Sequence, residues 1–320
     1  MGIKVLSLYD GIACGRAALE RADFAVDEYV AYEIEDSAIK IATYNFPDIK
    51  EKGDVFKAGF SVYSDFNLLI GGSPCTYWSI CQKPEKREIT NSGLGWDLFS
   101  QYVRALKESG IKFFLYENNY SMDKQIKEEI TKAFNNILRE RGEKEIEPIC
   151  INSALVSAQN RKRLYWTNIP CNGESYLPTD KNIKLKDILE FGYTDREKPL
   201  CLIRRYSGFA GTDSYLCRRY FGKHMGQAVF QSKEAYDELN ALWKANPYFD
   251  KGIKSEADIK KRKIRRLTLT EIERLQTLPD GYTGNVSDVN ELKKIEAIGN
   301  GWTVDVIAYL LSGFRRKINA

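Results

Sequence analysis

Short apolar runs alternate with longer amphipathic segments through the first 170 residues, and this alternation constrains the fold more than any other feature. The apolar runs have the length and composition of buried strands: 3–9, 26–33, 66–72, 111–118, 146–154 and 163–169. The segments between them repeat apolar residues at helical spacing: 14–22, 36–46, 96–109 and 123–140. Strands separated by helices of this length indicate right-handed crossovers. We therefore predict an α/β fold with a doubly wound, mostly parallel sheet.

The alternation stops near residue 170. Residues 171–265 are rich in loops, aromatic residues and basic residues. Helical spacing then returns in three segments: 269–278, 289–298 and 303–314. We predict a large α/β domain over residues 1–170, a smaller basic domain over 171–275, and C-terminal helices over 276–320 that return to the large domain.

The composition is that of a globular protein, with 43% apolar and 29% charged residues. No run approaches the roughly 18 apolar residues of a membrane span, and "MGIKVLSLYDG" enters a strand at once, without the pattern of a signal peptide. The seven cysteines never form C-x-x-C, so their spacing predicts neither a disulfide framework nor a zinc site. We expect a reducing intracellular compartment and no metal.

Positive charge is concentrated in one part of a chain whose net charge is only +4. Residues 196–266 hold 17 Lys and Arg against 8 Asp and Glu, interleaved with aromatic residues. The densest parts are Arg204-Arg205, Arg218-Arg219 and 260–266, "KKRKIRR". Such a patch is able to follow a phosphate backbone. Taken alone, it is explained equally well as a solvated basic face.

Polar and reactive residues follow the predicted strands at the points where the strands end. They are Asp10-Gly11, Glu33, Asp54, Pro74-Cys75 and Glu117-Asn118. In open α/β sheets, ligands bind outside the carboxyl ends of the strands. Each residue alone has a structural explanation, as a helix cap, a turn residue or a buried cysteine. The coincidence of five such positions favours a functional site.

The first of these groups, "LYDGIACG", places Gly11 and Gly15 between a strand and the start of a helix. It matches neither the G-x-G-x-x-G fingerprint nor a Walker loop. Glu33 follows at about the 20-residue offset at which a carboxylate meets ribose hydroxyls. These residues favour a nucleoside-bearing cofactor over a dinucleotide, with a plain tight turn as the alternative.

Cys75 lies in "GGSPC", a loop that opens directly after an apolar run. The single histidine, His224, lies in the basic segment. This disfavours a Cys–His hydrolase, because such an enzyme needs a positioned imidazole. A nucleophilic cysteine without histidine needs nearby cationic groups to stabilise its thiolate. Arg161 and Arg163 are candidates, since the i, i+2 spacing of a strand directs both side chains to one face.

Six segments resemble, in order and spacing, the motifs of the cytosine-C5 DNA methyltransferase family. They are "LSLYDGIACG", "GGSPC", "YENN", "AQNRKR", "RRLTLTEIERLQTLPDGY" and "AIGNGW". The resemblance covers both ends of the chain and most of the predicted large domain. "LYDGIA", Ser79-Ile80 after "GGSPC" and Trp302 are similar to the branch that includes the animal de novo enzymes. The compact length is more similar to a bacterial or phage enzyme.

The resemblance implies a DNA (cytosine-5-)-methyltransferase that acts on double-stranded DNA and flips its target base. It implies that the Cys75 thiolate adds to C6 of the flipped cytosine and that Glu117 holds the N3 edge of the ring. Asn118 would support the loop that carries the cysteine. Arg163 would contact the base or the intermediate, and Arg161 would contact the adjoining phosphate or Glu117.

The resemblance also implies S-adenosylmethionine as the cofactor, bound on the family's methyltransferase fold. The residues expected to bind it are Tyr9, Asp10, Gly11, Ile12, Glu33, Ile34, Asp54, Val55, Pro74, Asn300 and Trp302. The residues expected to contact DNA are Ser79, Lys83, Arg87, Arg204, Arg205, Arg218, Arg219 and Arg265.

Residues 171–275 would form the target-recognition domain, and 76–96 the mobile loop that enters the DNA. We expect a monomer on DNA, a restriction endonuclease as candidate functional partner, and the cytoplasm of a bacterial or phage-infected cell as location. The target sequence is not readable from these residues, because specificity lies in loop side chains with no transferable code.

Two segments depart from the family pattern. Asn119 stands where the Glu-Asn motif usually continues with an apolar residue, which predicts altered contacts around the flipped base. The segment "GNGWTVD" places Gly301, Trp302 and Asp305 where the returning motif usually has serine and small apolar residues.

Two other interpretations stay open. One is an RNA cytosine methyltransferase, since one branch of the family modifies tRNA. The other is a non-catalytic DNA-binding homologue. Such a homologue should lack the nucleophile or the acid, whereas Cys75, Glu117, Arg161 and Arg163 are all present here.

Overall fold

A computed structural model describes residues 2–80, 83–171, 175–201, 218–222, 227–245 and 263–318. The chain divides into two compact units, which are described separately. The first unit comprises Met1–Asn152, Lys162–Pro178 and Val304–Ala320. The second unit comprises Ser153–Arg161 and Thr179–Thr303.

The first unit is built on a sheet of seven strands among the described residues. The strands are β1 (Ile3–Leu8), β2 (Val26–Tyr32), β3 (Lys50–Glu51), β4 (Leu68–Gly71), β5 (Phe113–Asn119), β6 (Ile149–Asn152) and β7 (Lys162–Thr167). Their order is β3-β2-β1-β4-β5-β7-β6. All neighbours are parallel except β7, which pairs antiparallel with β5 and β6. The predicted mostly parallel, doubly wound sheet is confirmed.

Helices connect most of these strands and continue through the second unit. Numbered along the chain, they are α1 (Cys14–Arg21), α2 (Asp36–Asn45), α3 (Leu94–Ser109), α4 (Lys124–Glu140), α5 (Lys233–Ala245), α6 (Leu269–Leu275), α7 (Glu291–Asn300) and α8 (Val304–Ile318). Within the part of the chain that the structure describes, no helix has the length and apolar content to cross a membrane.

Helices cover both faces of the sheet, which explains why its strands are nearly continuous apolar runs. Phe134 of α4 packs on Phe114 of β5, with ring centroids 4.9 Å apart. Phe314 of α8 packs on Phe113, the residue before Phe114 in β5, with ring centroids 4.8 Å apart. Successive residues of a strand point to opposite faces. Therefore α4 and α8 lie on opposite sides of the sheet, α4 beside α3 and α8 beside α1.

Gly71 ends β4 at a point where the chain leaves no space for a side chain. A Cβ atom there would lie 2.6 Å from the carbonyl oxygen of Leu8 on β1 and 3.1 Å from the ring of Tyr102 on α3. The Tyr102 hydroxyl lies 3.1 Å from the carbonyl oxygen of Leu69 and 3.0 Å from that of Leu115. Glycine therefore lets α3 pack closely on the ends of β1, β4 and β5.

The second unit contains α5, α6, α7 and a two-stranded ladder of β8 (Val229–Phe230) and β9 (Ile264–Arg265). Helix α5 lies in the segment that the sequence indicated to be rich in loops. Its buried residues, Ala235 and Leu239, are four positions apart. This spacing was the available signal for a helix.

A buried amide ties the segment after α7 to the rest of the second unit. Gln276 donates from Nε2 to the carbonyl oxygens of Ile298 at 3.0 Å and Gly301 at 3.1 Å. Its Oε1 accepts from Thr303 at 2.8 Å and from Gln159 at 3.1 Å. The contacts therefore place α7 in the second unit and only α8 in the first, which differs from the predicted domain boundaries.

We expect Gly71→Ala to destabilise the first unit by about 1–3 kcal/mol, because the added methyl group overpacks the core. Gly59→Ala is the matched control, since no atom lies within 4 Å of its added Cβ. Thermal melting of the two variants beside the parent protein checks this. Equal melting temperatures for both variants would contradict the packing at Gly71.

Candidate active site

One row of paired residues crosses the four central strands at their carboxyl ends. Leu8 of β1 pairs with Tyr32 of β2 and with Gly71 of β4, and Gly71 pairs in turn with Tyr116 of β5. Adjacent strands lie about 4.8 Å apart. On each strand, a residue predicted to belong to the site comes within four positions after the member of this row. These residues are Asp10, Glu33, Cys75 and Glu117. The register thus brings them to one edge of the sheet.

Glu33 holds the turn between β1 and α1. Its carboxylate accepts the backbone N–H of Gly11 at 2.8 Å and those of Ile34 and Glu35 at 2.8 and 2.9 Å. Gly11 has φ 61°, and a Cβ there would meet no atom within 4 Å. Tyr9 also has a positive φ, of 60°, a conformation that non-glycine residues rarely adopt. The turn is therefore preorganised around an open space.

Asp10 lies within this turn, and only one of its two carboxyl oxygens accepts hydrogen bonds from described residues. Its Oδ1 accepts from the hydroxyls of Ser7 at 2.5 Å and Tyr29 at 2.6 Å. Its Oδ2 is buried and has no hydrogen-bond partner among the described residues. Burial raises the pKa of Asp10 to about 6, with Glu33 adding to the shift. An acceptor of this kind suits a ligand that carries N–H or O–H donors.

Apolar and polar groups beside Glu33 complete a surface that suits a nucleoside. Ile34 is 72% exposed, although it is a large apolar residue. Val55 and Ile12 are buried, and Asp54 accepts the backbone N–H of Phe56 at 3.0 Å. A carboxylate beside an exposed aliphatic side chain suits a ribose with its attached base, and the cofactor contacts of these residues stay a prediction.

Glu51 is a member of this acidic edge that sequence analysis missed. It ends β3, pairs with Ala31 of β2, and has both carboxyl oxygens buried without a hydrogen-bond partner among the described residues. Burial raises its pKa to about 8, and the charges of Asp10 and Glu33 add to the shift. A strand of two residues has no periodicity, so no pattern indicated this position.

Among the described residues, no group of three or more His, Cys, Asp or Glu side chains is arranged to hold a metal.

Cys75 opens a single helical turn, Cys75–Tyr77, directly after Pro74. Its side chain is half-buried, and its carbonyl oxygen accepts the N–H groups of Trp78 at 3.1 Å and Ser79 at 3.0 Å. Trp78 is fully buried in the core beneath α3. The thiol is thus carried on a turn whose far end is anchored in the core.

Asn118 fixes the near end of the same loop. Its Nδ2 donates to the carbonyl oxygen of Ser73 at 3.1 Å and to the hydroxyl of Tyr116 at 3.1 Å. The Tyr116 hydroxyl also lies 2.6 Å from Ser73 Oγ. All three side chains are buried. Ser73 precedes Pro74-Cys75, so the loop that carries the thiol is tied to β5 by a side-chain amide.

Glu117 and Arg163 form an ion pair beside this loop. Arg163 Nε lies 3.0 Å from Glu117 Oε1, and the two side chains are only 15% and 11% exposed. Arg163 reaches Glu117 from β7, where it pairs across the ladder with Asn119. A buried ion pair is costly to break because the remaining charge is left uncompensated. The pair therefore fixes the position of a carboxylate two strands from the cofactor turn.

Arg161 has a different set of partners, in the second unit. It is 3% exposed and donates to the carbonyl oxygens of Gly299 at 3.2 Å and Gly301 at 2.8 Å. The contact of Arg161 with a phosphate or with Glu117 stays a prediction. Asn300 ends α7 and is exposed, and Trp302 is half-buried, both also in the second unit. Arg161 thus holds the backbone of the segment that carries these two residues.

The residues predicted to contact DNA differ in their exposure and in the unit to which they belong. In the first unit, Lys83 is exposed, and Ser79 and Arg87 are half-buried. In the second unit, Arg219 is half-buried. The backbone of Arg218 is described and its side chain is not; Arg204, Arg205 and residues 260–262 lie outside the described residues.

Arg265 is a correction to that set. Its guanidinium donates to both oxygens of the fully buried Glu271 at 2.8 Å, and it stacks over the ring of Phe191. A bidentate pair with a buried carboxylate uses the donors that a phosphate would need. Arg265 therefore joins β9 to α6 rather than facing a ligand.

The chain belongs to the C-5 cytosine-specific DNA methylase family, whose match covers residues 3–315. Over 196 residues it is 32% identical to the orphan methyltransferase M.SPRI of Bacillus phage SPR, covering 59% of this chain and 43% of M.SPRI. It is 27% identical to the type II methyltransferase M1.ScrFI of Lactococcus lactis subsp. cremoris, covering 95% of this chain and 76% of that protein. The matched region thus spans less than half of M.SPRI.

Solved structures share the fold at low sequence identity. A mutant of Spodoptera frugiperda DNMT2 matches with a TM-score of 0.72 at 18% identity, covering 98% of this chain and 100% of that one. Entamoeba histolytica methyltransferase EhMeth matches with a TM-score of 0.72 at 16% identity, covering 99% of both chains. These similarities establish a methyltransferase fold.

We expect Glu51→Gln to stabilise the protein increasingly as the pH rises from about 4.5 to about 8. In this window the folded protein keeps a proton on Glu51, whose pKa is about 8, while the unfolded chain releases it near 4.5. The folded state then binds more protons, so the carboxyl costs stability as pH rises, and glutamine avoids that cost.

Melting temperatures of Glu51→Gln and the parent protein at several pH values check this, with exposed Glu147→Gln as the control. The difference between variant and parent should grow between pH 5 and 8. A difference that stays constant with pH would show that Glu51 is ionised in the folded protein.

Proposed function

We propose that the protein transfers a methyl group from S-adenosylmethionine to C5 of a flipped cytosine in double-stranded DNA. The observation that carries this proposal is that a half-buried Cys75 follows β4 while Glu117, ion-paired with Arg163, lies near the end of the adjacent strand β5. Membership of the cytosine-specific DNA methylase family supports the same reaction.

The turn after β1 and the end of β2 suit the cofactor. Glu33 would accept the ribose hydroxyls, and the orphaned Oδ2 of Asp10 would accept from the amino acid part. Ile34 and Val55 would pack on the adenine ring, and Asp54 would accept from its amino group. Tyr9, Ile12, Pro74, Asn300 and Trp302 are proposed as further contacts. When bound, S-adenosylmethionine supplies the methyl group.

Cys75 would act as a covalent catalyst, because C5 of cytosine is too weakly nucleophilic to take a methyl group unaided. The thiolate lone pair forms the S–C6 bond, and the displaced double-bond electrons make C5 nucleophilic. Glu117 would hold the N3 edge and share a proton there as charge builds on the ring. After C5 has received the methyl group, with S-adenosylhomocysteine as the product of its transfer, the C5 proton would pass to water, the C5–H electron pair would re-form the C5–C6 double bond, and the Cys75 thiolate would leave.

Two residues, Asn118 and Arg163, would position the catalytic groups. Asn118 would keep the loop of Cys75 in place through its bond to Ser73, and Arg163 would keep the Glu117 carboxylate directed at the base. A base stacked in a duplex cannot offer its C6 face to a thiol, so the cytosine must be flipped out of the helix. The loop 76–96, with Ser79, Lys83 and Arg87, would close over it.

We propose double-stranded DNA as the partner, bound by a monomer through the second unit, with Arg204, Arg205, Arg218 and Arg219 among the contacts. The relatives support a place in a restriction system or in a phage: M1.ScrFI is named a type II methyltransferase, and M.SPRI an orphan methyltransferase of a phage. A restriction endonuclease would be the functional partner in the first case, and bacterial cytoplasm the location in both.

We expect Cys75→Ser to abolish methyl transfer while DNA binding is retained, because the serine hydroxyl is a far weaker nucleophile than a thiolate. Incorporation of a tritiated methyl group into duplex DNA measures the activity, with single-stranded DNA and tRNA as parallel substrates. Cys150→Ser is the matched control, since Cys150 is an exposed thiol on β6.

Loss of activity in Cys75→Ser alone supports the proposal. A Cys75→Ser protein as active as Cys150→Ser would rule out covalent catalysis. Methylation of tRNA in place of duplex DNA would reassign the substrate to RNA while leaving the site intact.

We expect Glu33→Gln to weaken S-adenosylmethionine binding by roughly ten- to a hundredfold, the effect of losing charge-assisted hydrogen bonds. Turnover at saturating cofactor should change little, since uniform binding appears in KM rather than kcat. Titration calorimetry measures the affinity, and exposed Glu35→Gln is the control. Equal cofactor affinity in the parent and Glu33→Gln would exclude Glu33 from the ribose site.

A further inference from the structure

Asn119, the last residue of β5, departs from the apolar residue expected at this position, and its side chain is buried. Its Nδ2 donates to Oδ1 of Asn118 at 3.2 Å, and its Oδ1 accepts from the hydroxyl of Ser121 at 2.9 Å. The side chain therefore turns toward its neighbour along the chain rather than toward a ligand.

The Asn118 amide has a partner for each of its hydrogen-bonding sites. Its Oδ1 accepts the backbone N–H of Asn119 at 2.8 Å as well as the Asn119 side chain, and its Nδ2 donates to the Ser73 carbonyl and the Tyr116 hydroxyl. A primary amide has two donors and about two acceptor sites. All four are used, so the orientation of Asn118 is fixed by its surroundings.

The position of Asn119 also links the two halves of the site. It lies two residues after Glu117 and pairs across the ladder with Arg163, the partner of Glu117. Through Asn118 and Ser73 it reaches the loop of Cys75. Hydrogen bonds in a buried chain reinforce one another. One side chain thus connects the segment of the carboxylate with the segment of the nucleophile.

We propose that Asn119 is a positioning residue that acts through Asn118 and Ser73 to hold the Cys75 thiol in place. This inference rests on the proposed role of Cys75 as nucleophile and adds a residue where the family has an apolar one. Displacement of a nucleophile by a fraction of an ångström lowers the rate of the chemical step without changing how substrates bind.

Asn119→Asp is the most informative variant, because it keeps the shape of the side chain and removes the donor that faces Asn118. Asn119→Val removes the donor and the acceptor for Ser121 together. For both, kcat should fall by about fivefold or more, the effect of one hydrogen bond, with KM for both substrates unchanged. Asn136→Asp on the exposed face of α4 is the control and should match the parent.

A double-mutant cycle tests whether Asn119 acts through Asn118. If it does, adding Asn119→Asp to Asn118→Ala should cost no further activity, since the interaction is already lost. Independent losses that add in the double variant would overturn the proposal. So would an Asn119→Asp protein with the kcat of the parent.

Alkylation of Cys75 by iodoacetamide gives a readout that does not depend on methylation. Peptide mass spectrometry follows Cys75, with exposed Cys150 as the internal reference and buried Cys14 as the check on folding. In the Asn119→Asp protein, iodoacetamide should alkylate Cys75 about fivefold faster than in the parent, because the loop that carries Cys75 is less firmly held. If the parent protein shows no methylation but this change in alkylation is seen, the proposed function fails and the positioning role stands. An unchanged Cys75 rate in a folded variant removes the positioning role.

Discussion

The parallel register of β2, β1, β4 and β5 is the constraint on which the first unit depends. Most residues of these strands are buried, including Tyr29–Tyr32 of β2, so a slip by one position would move each side chain to the opposite packed face and leave clashes and cavities there. The register is therefore tightly specified by the core. Because Tyr32, Leu8, Gly71 and Tyr116 lie in one row, the loops that follow them open at a common edge. The core thus determines where the chemistry is placed.

Hydrogen bonds then hold two of the loops at that edge. Glu33 accepts the backbone N–H of Gly11 in the first turn as well as those of Ile34 and Glu35, and the buried Asn118 donates to the backbone before Cys75. An unsatisfied buried polar group costs roughly 1–3 kcal/mol. Displacing the loop of Cys75 would leave the buried Asn118 amide without its partner on Ser73. The exceptions among the acidic groups of this edge are Oδ2 of Asp10 and both carboxyl oxygens of Glu51, which are buried without a hydrogen-bond partner among the described residues.

Much of the first unit could be predicted from the sequence, because its strands are apolar runs and its loops carry short motifs. The run before "GGSPC" predicts both β4 and the place of the thiol. Glu51 could not be predicted, since a two-residue strand carries no periodic signal. Its raised pKa depends on burial and on the charges of Asp10 and Glu33, which are distant in sequence.

The partners of charged residues were equally hard to predict. Arg161 and Arg163 are two residues apart, yet one donates to backbone carbonyls of Gly299 and Gly301 and the other pairs with Glu117. The basic character of Arg265 suggested DNA, whereas a buried Glu271 holds it. The sequence gives the charge of a residue, but the tertiary fold determines which carboxylate or carbonyl group that residue contacts.

The central claim is that Cys75 forms a covalent bond with a cytosine held at this edge. Duplex DNA containing 5-fluorocytosine tests it most directly, because fluorine at C5 blocks the final elimination and leaves the enzyme attached. After incubation with S-adenosylmethionine and nuclease digestion, mass spectrometry should find the methylated fluorocytosine on the peptide that contains Cys75. An adduct on another residue, or turnover of ordinary DNA with no adduct on the fluorinated duplex, would contradict the account.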